Sequence, residues 1–289
     1  MPAIPKLVWI FAATLAIVAP FAILAGRRGG RYRAFPRWIA AWSQFAILIV
    51  ALSRLNSAIS FTLLGLVMFV ALKQYFTLTP LRPQDRWAVL VAYISIPLAL
   101  WPTWADSFSL LSVATVIGLF LLIPVLLSIV PRQPGLLDAL GRVLLGVLVF
   151  VFCAAHFGLM TRLPLGSLEL FGITALLADL PQRLTGRIRP GGERVRPLIG
   201  VLASVVIAAA VGAMLAPLAS STESLHGAVA GGVIALAMAG GSLVSDAVAQ
   251  DLLRTQSDAV LGRAAFLDRT LPVIYAAPFF YHYLRAVAS

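Results

Sequence analysis

Two short stretches of this chain combine residue types that could do chemistry. The first, DAVAQDLLRTQSDAVLGRAAFLDR at Asp246–Arg269, holds four of the chain's 11 acidic residues, all of them aspartates. Aspartates beside phosphates suit Mg²⁺, which takes carboxylate oxygens together with those of a nucleotide. Asp251 and Asp258 are seven residues apart and share a face if the segment is helical. Asp246 and Asp251 do not. A solvated helix with aspartate caps explains the same residues equally well. The second stretch, DLPQRLTGRIRPGGERVRP at Asp179–Pro197, carries five arginines, a Gly-Gly pair and Glu193. Arginine presents a planar fork of donors to phosphate oxygens, and a glycine turn lets backbone amides approach an anion. The plainer reading, a basic loop against anionic headgroups, is favoured about two to one on composition alone.

Other reactive residues carry less. Cys153 sits in an apolar run as a small packing residue. His156, His226 and His282 are far apart in the chain, and no His-based metal site or triad is expected. Glu169 is an acid within a hydrophobic segment, a functional candidate by default, but near an interface where it can snorkel to water. Gly227, Gly231, Ala235 and Ala239 form a strip of small residues that admits a close neighbour. The strip serves internal packing or a homodimer, internal packing being favoured.

The elements that must hold these residues are membrane helices. Of 289 residues 61% are hydrophobic and 11% charged, with mean hydropathy +0.97. A soluble domain carries roughly a quarter of its residues as charges, so this chain cannot solvate a globular surface. Ten apolar segments approach the ~20 residues that cross a bilayer as a helix. They run roughly over 5–25, 38–53, 57–72, 87–104, 110–130, 136–160, 165–180, 198–218, 227–244 and 271–287. The expected fold is all-α, a polytopic membrane protein of about ten transmembrane helices. It comprises an N-terminal bundle over 1–164 and a C-terminal region over 165–289 within one membrane domain.

Charge orients the spans. Basic residues number 22 against 11 acidic ones, and 18 of the 22 lie on alternate connections: 27–37, 73–86, Arg132 with Arg142, 183–196 and 254–269. The other side holds Lys6, Arg54, Arg162 and Arg285. This is the positive-inside pattern, with the N-terminus outside and both polar stretches cytoplasmic. The net charge of +11 is therefore mostly a topology signal, and no nucleic-acid partner is expected. The first segment reads as an anchor rather than a cleaved signal, because Arg27, Arg28, Arg31 and Arg33 follow its apolar run. Abundant Ala, Leu, Val and Arg suit a GC-rich bacterium, hence the bacterial cytoplasmic (inner) membrane.

Three segments of the C-terminal half carry a family resemblance. ITALLADLPQRLTGRI at Ile173–Ile188 is similar to an Asn-Asp-x-x-x-Tyr-x-x-Gly-Arg pattern through Asp179, Gly186 and Arg187. GGSLVSDAVAQDLL at Gly240–Leu253 is similar to a Gly-Asp-Leu-x-x-Ser-x-x-Lys-Arg-Asp helix through Asp251. LDRTLPVIYAAPFFYHYLR at Leu267–Arg285, the most specific of the three, is similar to Leu-Asp-Arg-x-Asp-Ser followed by Ala-Ala-Pro-x-x-x-x-Tyr-x-x-Arg. These patterns are those of the phosphatidate cytidylyltransferases (CDP-diacylglycerol synthases). The resemblance implies that phosphatidate attacks the α-phosphorus of CTP, releasing pyrophosphate and giving CDP-diacylglycerol, with Mg²⁺ as cofactor. It assigns metal binding to Asp246, Asp251 and Asp268, catalysis to Asp251 and Asp268, and phosphate or nucleotide contacts to Asp179, Arg187, Arg194, Arg196 and Arg269.

The chain also departs from the pattern. Ser242 stands for the acid of Gly-Asp-Leu, Ala249 and Gln250 for its Lys-Arg pair, and Leu271 for the second acid of the closing signature. Arg263-Ala264-Ala265 replaces a His-Gly-Gly. A rival expectation follows: a non-catalytic relative that binds anionic lipid or a membrane partner. A transporter is a third reading with less support, since paired discontinuous helices and midplane polar residues are not evident.

Overall fold

The structure, a computed structural model, describes residues 6–27, 35–79, 81–129, 135–188, 194–195, 198–219, 223–255 and 261–288. Twelve α-helices form ten rods among these residues: α1 (Lys6–Arg27), α2 (Phe35–Arg54), α3 (Ser57–Leu78), α4 (Arg86–Trp104), α5 (Phe108–Leu111) with α6 (Leu119–Ile129), α7 (Leu136–Val147) with α8 (Ala154–Met160), α9 (Ser167–Thr185), α10 (Leu198–Leu215), α11 (Ser224–Thr255) and α12 (Leu261–Ala288). Two rods contain π-helical stretches, Ser112–Gly118 between α5 and α6 and Leu148–Cys153 between α7 and α8. The chain is an all-α membrane protein, and eight of its helical segments are long and apolar enough to cross a bilayer.

The rods correspond in order to the ten segments expected from hydropathy, with different ends. α11 runs to Thr255 and carries Asp246 and Asp251 on its last turns. The basic stretch is not wholly a loop either. α9 continues through Pro181 to Thr185, and a two-residue antiparallel ladder then pairs Arg187–Ile188 (β1) with Arg194–Val195 (β2). The hairpin between α2 and α3 is as tight as expected, with the Asn56 side chain accepting from the Ala58 amide to cap α3.

α9 and α12 fall short of the length-and-apolarity criterion for crossing a membrane. α9 carries Glu169, Asp179 and Arg183, and α12 is diluted by Thr270, its tyrosines, His282 and Arg285. α9 is among the most buried helices of the bundle, enclosed by α1, α2, α10 and α11. Charged residues at membrane depth are tolerated where protein rather than lipid surrounds them. The apolar residues instead face outward on the surrounding helices, for example Ile17, Phe21, Leu121 and Val206. On α4 the exposed Trp87 and Trp104 bracket about 26 Å of helix, close to a bilayer core.

The strip of small residues on α11 serves internal packing. Gly227 and Gly231 lie directly against the backbone of Gly212 and Ala208 of α10, leaving no space for a β-carbon. About three turns beyond Gly231, Gly241 of α11 packs on Pro272 and Tyr275 of α12.

Candidate functional site

The residues that sequence spacing alone could not bring together meet where α2, α9 and α12 converge. On α2, Trp38 and Trp42 are four residues apart and share the buried face with Phe35, Ile39, Ala46 and Ile49. On α9, Asp179 and Arg183 share a face by the same spacing. The two indole N–H groups and the Arg183 guanidinium all donate to Oδ2 of Asp179. Trp38 does so at 2.7 Å, Trp42 at 3.1 Å and Arg183 Nε at 2.7 Å. Arg183 then reaches α12, where one terminal nitrogen donates to Asp268 Oδ2 at 3.0 Å and the other to the Asp268 carbonyl oxygen at 3.2 Å. Both carboxylates are buried, Asp179 to 4% exposure and Asp268 to 7%.

This cluster joins two motif residues 89 positions apart in sequence through an arginine and two tryptophans. Arginine suits the position because it is always charged and can satisfy two partners with one planar fork. Sequence reasoning missed Arg183, Trp38 and Trp42. Arg183 counts there only as one of the five arginines of the basic stretch, although its (i, i+4) spacing from Asp179 is a readable signal.

Next to Asp268, Arg269 and Thr270 open onto a cleft of about 330 Å³. Its walls are Trp38, Ala41, Trp42, Phe45 and Leu48 of α2, Leu64, Leu66, Val67, Met68, Val70 and Ala71 of α3, Phe150, Ala154 and Phe157, and Val273 and Ile274 of α12. Phe150 belongs to the π-helical stretch. Such single-turn distortions recur at functional sites because they re-aim a wall without ending the helix.

The remaining expected site residues are spread. Asp251 lines a separate hollow of about 380 Å³ with Tyr75, Thr79, Asp138, Arg142, Ala247 and Val248. Asp246 is half-buried on α11. On α11, Ser242 and Ser245 are each 1% exposed. In the β ladder Arg187 pairs with Val195 and Arg194 with Ile188, and Arg196 and Asp258 lie outside the described residues.

Two expectations about the opposite end of the bundle are corrected. Glu169 does not snorkel. It is buried to 1% exposure and accepts from Arg54 at 3.0 Å, tying the start of α9 to the end of α2. Nor are all the histidines dispersed, since the rings of His156 and His282 lie 5.4 Å apart, beside Phe108 and Tyr281. Packing of α8 against α12 brings them together across more than a hundred residues of sequence. His226 approaches Tyr283 at 3.1 Å.

Magnesium, which the family resemblance implies, does not fit between Asp179 and Asp268 as they stand. The guanidinium of Arg183 lies between the two carboxylates, and a divalent cation would first have to displace it. Among the described residues, no three of the His, Cys, Asp and Glu side chains gather as a metal site.

The chain is 26% identical over 238 residues to the uncharacterized protein YnbB of Escherichia coli (strain K12), a match spanning 78% of each chain. No family model matches the chain. No solved structure matches it.

Proposed function

We propose that the chain is a phosphatidate cytidylyltransferase-like protein of the bacterial cytoplasmic membrane. It has ten transmembrane helices, an external N-terminus and its α9–α12 cluster at the cytoplasmic end, where it moves CMP from CTP to phosphatidate. The observation that carries this reading is the meeting of Asp179 with Asp268. The two come from different family-like segments, and Arg183 bridges them. In the reaction the resemblance assigns, a phosphate oxygen of phosphatidate forms a bond to the α-phosphorus of CTP. The bond from that phosphorus to the β-phosphate oxygen breaks, and pyrophosphate leaves. This chain's own contribution is cationic. Arg269, on the cleft wall beside the cluster, neutralises phosphate oxygens, and Arg183 fixes the carboxylates that orient α12.

A second reading, a non-catalytic relative that binds anionic lipid, is favoured by the seating of Arg183 between the carboxylates and by Ser242 in place of an acid. Purified protein with phosphatidate vesicles and labelled CTP, assayed with and without Mg²⁺, separates the two readings. CDP-diacylglycerol formation that Asp268→Asn abolishes supports transfer. Phosphatidate binding with no product under either condition supports the second reading and refutes the first.

A further inference from the structure

The packing of α8 against α12 sets two histidines side by side at the end of the bundle opposite Asp179 and Asp268. His156 is fully buried, and its Nδ1 lies 2.9 Å from the Phe152 carbonyl oxygen. A carbonyl only accepts, so Nδ1 carries the proton and Nε2 keeps its lone pair. That Nε2 is itself buried, and among the described residues no group donates to it. An acceptor placed in this way loses its hydration with nothing from the protein in return. The same arrangement recurs in metal-bound histidines, where a backbone carbonyl holds the other ring nitrogen and fixes the tautomer. The ring of His282 lies 5.4 Å away, centroid to centroid, and is exposed. Metal–nitrogen bonds of about 2.0–2.1 Å in tetrahedral geometry set two imidazole centroids roughly 5–5.5 Å apart. Phe108 and Tyr281 wall the pair, and the Tyr281 hydroxyl is taken up by Arg285 at 3.0 Å.

We infer that Nε2 of His156 and the imidazole of His282 together bind a late first-row divalent cation, Cu²⁺ ahead of Zn²⁺, as a reversible clamp between α8 and α12. Imidazole nitrogen suits both ions, and the general order of site affinities ranks copper above zinc. Among the described residues no third His, Cys, Asp or Glu joins the pair. Water or a small anion therefore completes the coordination, and the ion exchanges. The exposure of His282 gives the ion its way in, since a turn of that ring uncovers Nε2 of His156. The clamp acts near one end of α12, and Asp268 lies near the other, fourteen residues or about 21 Å of helix away. It is independent of the transferase reading and applies equally to a catalytic and a non-catalytic protein.

The test uses the full-length protein in detergent, stripped with a chelator and carrying no polyhistidine tag, titrated with Cu²⁺ or Zn²⁺ alone. Calorimetry should give about one ion per chain, with copper the tighter. Copper at about a hundred times its dissociation constant should raise the unfolding midpoint by roughly 5 °C. The electron paramagnetic resonance spectrum of the copper form should show coupling to both imidazoles. His156→Gln and His282→Gln should each weaken binding about tenfold or more, at least what the loss of an outer-shell partner costs, and each should leave coupling to a single imidazole. His226→Gln, whose native ring is engaged with Tyr283, and Cys153→Ala should change neither readout. His282 is exposed, so His282→Gln decides the matter even where His156→Gln fails to fold. No binding at millimolar copper or zinc, or an affinity and spectrum unchanged in His282→Gln, overturns the inference. An equal loss in His226→Gln overturns it too, because the ions would then be scattered over the surface.

Discussion

Replacing Arg183 by alanine tests the cluster at its centre. The guanidinium makes three hydrogen bonds, one to Asp179 and two to Asp268. Its removal takes that cation from two buried carboxylates, while Asp179 retains the indole donors of Trp38 and Trp42. Breaking a buried ion pair by deleting one partner costs about 3–5 kcal/mol, because the remaining charge stays desolvated. With one cation serving two acids, the upper part of that range applies. For a chain of this size it corresponds to a fall of roughly 10 °C in the unfolding midpoint. The assay is thermal unfolding of the detergent-solubilised protein followed by circular dichroism. Arg183→Lys should recover only part of the loss, since one ammonium cannot reproduce a fork that spans two partners. The triple variant Arg183→Met, Asp179→Asn, Asp268→Asn should be more stable than Arg183→Ala, because it leaves no uncompensated charge inside. A midpoint for Arg183→Ala within about 1 °C of wild type, or a triple variant no better than the single one, refutes the electrostatic reasoning.

Further outcomes are measurable in the same way. Arg54→Ala strands Glu169 at 1% exposure and should cost about 3 kcal/mol, whereas Arg54→Ala combined with Glu169→Leu should recover most of that in unfolding experiments. Trp38→Phe should destabilise more than Trp42→Phe, given indole contacts of 2.7 and 3.1 Å, with losses up to about 1.5–3 kcal/mol for a hydrogen bond to a charged acceptor. Gly231→Ala should destabilise, because its β-carbon meets the Ala208 carbonyl. Gly232→Ala, whose β-carbon comes no nearer than 3.9 Å to Val205, should be neutral or stabilising by up to about 1 kcal/mol.

Much of the architecture was legible because a bilayer imposes a coarse rule on sequence. A run of apolar residues long enough to cross must satisfy its backbone internally, so it is helical. That rule located the eight helical segments that are long and apolar enough to cross a bilayer. It placed the ends poorly, as at α11, because polar residues such as Asp246 and Gln250 can extend a helix beyond the apolar run as easily as begin a loop. The small-residue strip was readable because glycine at every fourth position has one main use, a close helix contact, and α10 supplies it. The cluster was harder. Asp179 and Asp268 stood out by motif, yet nothing in local spacing announces that Trp38 and Trp42, in the other half of the chain, donate to Asp179. Such contacts depend on which helices neighbour one another, and hydropathy is silent on neighbours. The same blindness hid the approach of His156 to His282 and made Glu169 look like a snorkelling residue when Arg54 was its partner.

The most direct measurement of the central claim is product formation by purified protein and matched variants. With phosphatidate vesicles and labelled CTP, wild type is expected to yield CDP-diacylglycerol, and Asp268→Asn to lower kcat/KM by about a hundredfold or more. Arg54→Ala, which breaks a buried ion pair at the far end of the bundle, should stay within about threefold once folding is normalised, because it removes no interaction made to the reacting groups. No product from folded wild type, or equal losses in Asp268→Asn and Arg54→Ala, would contradict a transferase site at the junction of α9 and α12.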